Sequence, residues 1–182
     1  MKTIWKILVC GLILFILFTA FRPFLNRTYY NTLEYWNLRD KIIWSEVDKL
    51  QWSDFEYNQN TDGIIAFVAM SKRWNFDDPF FRSVTVFSPA ESSVSDTTDS
   101  YYLRSAQAKF DLLEVYRRKM MAEFDTLNKA QIKRLKSNYF HKIGDRYYQQ
   151  YEFEWQAHLN ASDSEQSLKI LEDRIQQDLN QD

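Results

Sequence analysis

Thiols, glycines, prolines and histidines are all scarce in this chain: one Cys, three Gly, three Pro and two His among 182 residues. A single thiol excludes an internal disulfide and any Cys-rich zinc site. So little Gly and Pro excludes collagen-like and Gly-rich low-complexity architectures. No charge of one sign dominates either. With 23 Lys+Arg against 25 Asp+Glu, no basic field draws nucleic acid, and no nucleic-acid partner is expected. The chain has no Gly-rich phosphate loop, no G-x-S-x-G elbow and no internal repeat. What it does have is rings. Phe, Trp and Tyr make up 17% of a chain that is 45% apolar and 26% charged. Aromatic side chains bury large areas, so a domain of this size can build its core without cross-links.

The opening MKTIWKILVCGLILFILFTAFRPF is the one long hydrophobic run. Residues Ile7 to Phe21 carry no charge and span roughly 22 Å as a helix, short of a hydrocarbon core of about 30 Å. Counting from Ile4 to Leu25, with Lys6 and Arg22 reaching for the interfaces, makes a span feasible. Phe18 sits where a cleavage site after Ala20 wants a small residue, so an uncleaved signal-anchor is expected, with a cleaved secretory signal as the alternative. The segment predicts a single-pass bacterial inner-membrane protein, its C-terminal domain periplasmic or extracellular. With Lys2 and Lys6 set aside, that part holds 21 basic and 25 acidic residues, a mildly acidic balance.

The expected organisation is a membrane anchor over 1–25, a connecting segment over 26–46 and one α+β domain over 47–182. Residues 28–46 are aromatic-rich and fit helix and strand equally. Strand-like alternation or apolar runs follow at 49–55, 64–70 and 82–87, with a turn at Asp77-Asp78-Pro79. SPAESSVSDTTDS (88–100) reads as a polar loop with little to bury. Beyond it the pattern is helical. Leu103, Ala106, Phe110, Leu113, Met120, Phe124 and Leu127 form one stripe, capped by Asp99 or Ser100. A second helical stretch covers 129–159, with Gly144 as a break or close-packing point. A third, 164–179, has Ser162 or Asp163 as its cap and Leu168, Leu171, Ile175 and Leu179 as its stripe. Strands first and helices afterwards predict a small antiparallel sheet followed by a mainly helical C-terminal half.

Residues with chemical potential are few. His141 and His158 lie 17 residues apart, and a zinc site needs three or four converging ligands. Glu114 and Arg118, at i,i+4, read as a solvated surface pair. Ser105 and Lys109 share a helix face, but at a spacing foreign to Ser-x-x-Lys nucleophiles. Tyr147, Tyr148, Tyr151, Phe153 and Trp155 form an aromatic cluster that reads first as core and second as a stacking platform.

The stretch Leu103 to Met121, LRSAQAKFDLLEVYRRKMM, resembles the zinc helix of a bacterial family of candidate secreted zinc-dependent proteases, a domain of unknown function. That helix reads L-x-H-E-Q-G-H-F-D-I-T-E-L-Y-A-R-K-L. Gln107, Phe110, Asp111, Glu114, Tyr116, Arg118 and Lys119 fit it in register. Trp52-Ser53-Asp54-Phe55 is similar to the family's W-x-D-F strand and Ala66-Phe67 to the strand after it. Tyr151-Glu152-Phe153-Glu154 is similar to its Y-D-x-E-T segment, and the resemblance covers residues 47 to 180. It implies a zincin-like fold in which H-E-x-x-H binds zinc and supplies a general base. Here those positions are Ser105, Ala106 and Lys109. Ser is a poor zinc ligand, Ala takes no proton, and Lys places a cation where Zn²⁺ would sit. The resemblance therefore implies a degenerate protease with no catalytic residue, no metal and no cofactor, binding a protein or peptide partner. Its expected cleft holds Gln107, Asp111, Glu114 and Glu154 beside the three altered positions, with Lys109 neutralised by a neighbouring carboxylate. One alternative is a hydrolase built on His141 or His158 with Glu152 or Glu154. Another is an unrelated envelope interaction protein.

Overall fold

The computed structural model describes residues 2–75, 80–135 and 137–181; the turn expected at Asp77-Asp78-Pro79 lies outside the described residues. The chain divides into two compact units, Met1–Arg39 and Asp40–Asp182.

The first unit is a single helix, α1 (Lys2–Leu38), of 37 residues. Among the described residues, no helix is long and apolar enough to cross a membrane. That finding overturns the expected transmembrane helix. With it go the signal-anchor and the single-pass inner-membrane placement of the C-terminal domain. The physical reason lies in the make-up of the helix. Its uncharged run falls short of a hydrocarbon core, and the helix continues past it through Arg22, Arg27 and Glu34 into a segment rich in Tyr and Asn. The ambiguous stretch after residue 28 is thus helical as far as Leu38, closed by the Arg39 amide donating to the Tyr35 carbonyl at 2.9 Å.

The second unit is α+β, with small sheets followed by a helical half. Two three-stranded sheets replace the single antiparallel sheet expected. In the first, β5 (Phe80–Phe87) lies between β1 (Ile42–Ile43) and β4 (Val68–Asn75), all antiparallel. In the second, β6 (Ser93–Val94) pairs parallel with β2 (Glu56–Tyr57) and antiparallel with β3 (Ile64–Ile65). The expected 64–70 strand is split at Ala66-Phe67 because the chain changes sheet there. The Phe67 amide donates to Ser92 Oγ at 2.9 Å and its carbonyl accepts from the Ser88 amide at 2.9 Å. The alternation at 49–55 yields a helical turn, Trp52–Asp54, instead of a strand. Asp54 decides this: its carboxylate accepts from the Gln51 amide at 2.7 Å and folds the backbone back on itself.

The serine-rich segment 88–100 is not an unburied loop. It forms a turn at Pro89–Glu91 and then β6, with Val94, Ser88 and Ser92 all buried. Ser92 Oγ donates to the Ser88 carbonyl at 2.7 Å, so a buried hydroxyl and a buried carbonyl satisfy each other.

Four helices follow: α2 (Ser100–Asp125), α3 (Lys129–Arg134), α4 (Ser137–Leu159) and α5 (Ser164–Leu179). Asp99 caps α2 by accepting from the Tyr101 amide at 2.9 Å, and Asp163 caps α5 by accepting from the Gln166 amide at 3.0 Å. Helix α4 runs through Gly144 unbroken. A Cβ there would lie 2.6 Å from Lys72 Nζ, so Gly144 is a point of close packing. Phe110, Leu112, Leu113, Tyr151, Leu168 and Phe87 form the heart of one core around α2. Met120, Phe124, Phe140 and Ile143 form a second, with Trp74 and Phe81 stacked against Phe140.

Candidate functional site

Helical geometry sorts the residues of α2 that the sequence singles out. Successive residues turn by about 100°, so Gln107, Asp111, Glu114 and Arg118 fall on one stripe, and Tyr102, Ser105, Ala106 and Lys109 on another.

The first stripe fastens the fold. Gln107 Oε1 accepts from the Leu50 amide at 2.8 Å, and its Nε2 donates to Asp111 Oδ1 at 2.8 Å. Asp111 also accepts from Trp44 Nε1 at 2.6 Å and pairs with Lys49 at 3.5 Å. Glu114 is 3% exposed, not a solvated surface residue. It accepts from Thr85 Oγ1 (2.8 Å), from Arg117 Nε and Nη2 (2.7 and 2.6 Å) and from Arg118 Nε (3.1 Å). Every lone pair of this carboxylate is in use. Glu154 lies elsewhere, on α4, where it accepts from Tyr116 Oη at 2.6 Å and pairs with Arg174 in a separate groove. The expected cleft of Gln107, Asp111, Glu114 and Glu154 is therefore not one site.

The second stripe faces a cleft of about 420 Å³. Ser105, Ala106 and Lys109 line it together with Tyr101 and Tyr102 from the first turn of α2, and Trp155 and Leu159 from α4. The opposite wall is the run Asp62 to Ala66, which contains β3. Gly63 lies within that wall with φ +71, and a Cβ there would meet the Tyr102 ring at 2.9 Å. Both the backbone conformation and the ring require glycine. Among the described residues β3 is an edge strand, paired only with β6. The Gly63 carbonyl accepts from the Ser95 amide at 3.0 Å, on the β6 side. By the alternation of an antiparallel ladder, Ile64 and Ala66 then turn their amide groups the other way.

Lys109 answers the Ala66 carbonyl. Its Nζ donates to Ala66 O at 2.9 Å and lies 5.7 Å from the centre of the Trp155 ring. The partner is thus a backbone carbonyl and an indole face, not the neutralising carboxylate expected. Burial draws the Lys109 pKa down, and Glu152 opposes this from a distance. Ser105 and Ala106 are both buried.

The two histidines do not converge with Glu152 or Glu154. His141 is exposed and sits edge-on to Trp74, ring centres 4.8 Å apart. His158 is buried, with Nδ1 at 2.9 Å from Ser167 Oγ and no hydrogen-bond partner for Nε2. Among the described residues, no group of three or more His, Cys, Asp and Glu is placed to hold a metal. The aromatic cluster divides: Tyr151 and Trp155 belong to the first core, Tyr147 packs at the margin of the second, and Tyr148 and Phe153 are exposed.

Burial lowers the His158 pKa from the ordinary value of 6.5. The unfolded chain then binds the proton more readily than the folded one, so stability is highest above pH 6.5 and falls as pH drops through that value. The urea midpoint should decrease between pH 7.5 and pH 5.5, and His158→Gln should flatten the decrease. An equal decrease in the variant would assign the effect to other groups.

Tyr101, Tyr102 and Asp62 carry no signature that marked them beforehand. The spacing Tyr102, Ser105, Ala106, Lys109 could have placed Tyr102 at the cleft, being i, i+3, i+4, i+7 on the helix already in view. The class these features define is an α+β domain with a cleft between a long helix and the edge strand of a small sheet. No family profile, curated protein or solved structure matches the chain.

Proposed function

We propose that the second unit is a non-catalytic, protease-like domain that holds an extended peptide in the cleft between β3 and α2. The observation that carries this reading is the placement of Ser105, Ala106 and Lys109. The three altered positions of the H-E-x-x-H motif all line one cleft, beside the open edge of a strand. An edge strand offers unpaired amide and carbonyl groups to an added strand, and pockets along it select side chains. Ile65 and Leu159, each 52% exposed, give the cleft an apolar rim that suits a peptide. The chemistry of the three residues argues for holding over cutting. Ala106 stands at the general-base position and takes no proton, while Lys109 brings positive charge to the place of a metal ligand.

The test uses the full-length chain, immobilised, and a pool of randomised decapeptides blocked at both ends. Peptides should be retained and recovered intact by mass spectrometry. Ile65→Asp, at the exposed rim, should reduce retention about tenfold, the scale of 1.4 kcal/mol. Cleavage products would make the domain an enzyme, and absence of retention would remove peptide binding from consideration.

A further inference from the structure

The edge of β3 offers the backbone groups of Ile64 but is closed at Ala66, where Lys109 Nζ occupies the carbonyl at 2.9 Å. A strand laid along this edge cannot continue past that point, because its next amide would meet an ammonium where it needs an acceptor. The added chain has to turn away or end there. An ammonium has three donors, and the Ala66 carbonyl takes one of them. Glu152, outside the cleft lining, influences Lys109 only electrostatically, and Asp62, the acid among the lining residues, belongs to the opposite wall. Trp155, Tyr101, Tyr102 and Ala106 supply the apolar part of the surrounding walls.

From this juxtaposition we infer that the cleft recognises the free C-terminal carboxylate of a peptide with an apolar last residue, Lys109 pairing with the carboxylate and Trp155 packing against the last side chain. A cation at the closed end selects a carboxylate terminus and rejects an amino terminus by like charge. Burial that weakens the proton affinity of Lys109 adds to the gain from an arriving anion. The inference rests on the peptide-binding reading above and names which part of the peptide is read.

The experiment compares two pools of randomised hexapeptides, identical except for a free or amidated C-terminus, on the immobilised full-length protein. The free-acid pool should be retained about tenfold better, as a charge-assisted contact predicts. Lys109→Met should abolish the preference and Lys109→Arg should keep it. Apolar residues should be enriched at the last position. Equal retention of both pools overturns the inference and leaves peptide binding standing; retention of neither overturns both. If 3-phenylpropionate displaces the free-acid pool as fully as unlabelled peptide does, the site reads a small acid, and the assignment to a chain end falls.

Discussion

Glu114→Ala should lower the stability of the folded domain by about 3–5 kcal/mol, the cost of removing one partner from a buried ion pair. Two guanidiniums and a hydroxyl converge on this carboxylate from three directions. Arg117 also reaches the Ser83 carbonyl at 3.2 Å, and Arg118 reaches Leu179 O at 3.0 Å and Glu46 at 2.9 Å. Through Glu114, α2 is therefore joined to β5, to the end of α5 and to the segment before residue 50. Removing the carboxylate leaves both arginines, each with side chains less than one-fifth exposed, without their central acceptor. Urea unfolding at pH 7 measures the loss. A decrease below about 1 kcal/mol would mean that the arginines behave as surface groups, whose pairs contribute little. Glu114→Gln, which preserves the shape and two acceptor lone pairs, should cost less than the alanine variant.

Phe87→Ala should cost a comparable 3–5 kcal/mol, for a different reason. Phe87 is fully buried at the end of β5, where its backbone pairs with Ile42 on one side and Val68 on the other. Its ring lies edge-on to Phe55 at 5.1 Å and tilted to Phe110 at 6.1 Å. One ring thus connects the first sheet, the chain leading into the second sheet, and α2. Alanine forfeits the transfer energy of the ring and leaves a cavity that stiff aromatic neighbours cannot close. Phe87→Leu, closer in volume, should cost under about 1.5 kcal/mol. An alanine variant losing no more than the leucine variant would show that the neighbours do collapse into the space.

The helical half was legible because its signals are local. Asp99 and Asp163 cap where their side chains said they would, and the stripe Ala106, Phe110, Leu113, Met120 and Phe124 is buried as its spacing required. The strand half was less legible because tertiary partners decide it. Asp54 converts an alternating run into a turn, and Ser92 draws a polar segment into the interior. At the site, Ser105, Ala106 and Lys109 stand together, yet Gln107, Asp111 and Glu114 lie on the other stripe of the same helix. Treating all of them as cleft residues followed the order of a motif rather than the 3.6-residue turn that distributes them. Glu114 and Arg118 have the spacing of a surface pair, and only the neighbouring Arg117 and Thr85 make the carboxylate a buried hub.

Two border strands, β3 and β4, are each attended by a lysine. Lys109 covers the carbonyl at the end of β3, and Lys72 within β4 leans over Gly144. Unpaired strand borders invite copies of a chain to zip together into fibrous aggregates, and an inward cation makes that stacking electrostatically unfavourable. By occupying the Ala66 carbonyl, the Lys109 ammonium shortens the length of β3 along which a second copy of the chain could zip.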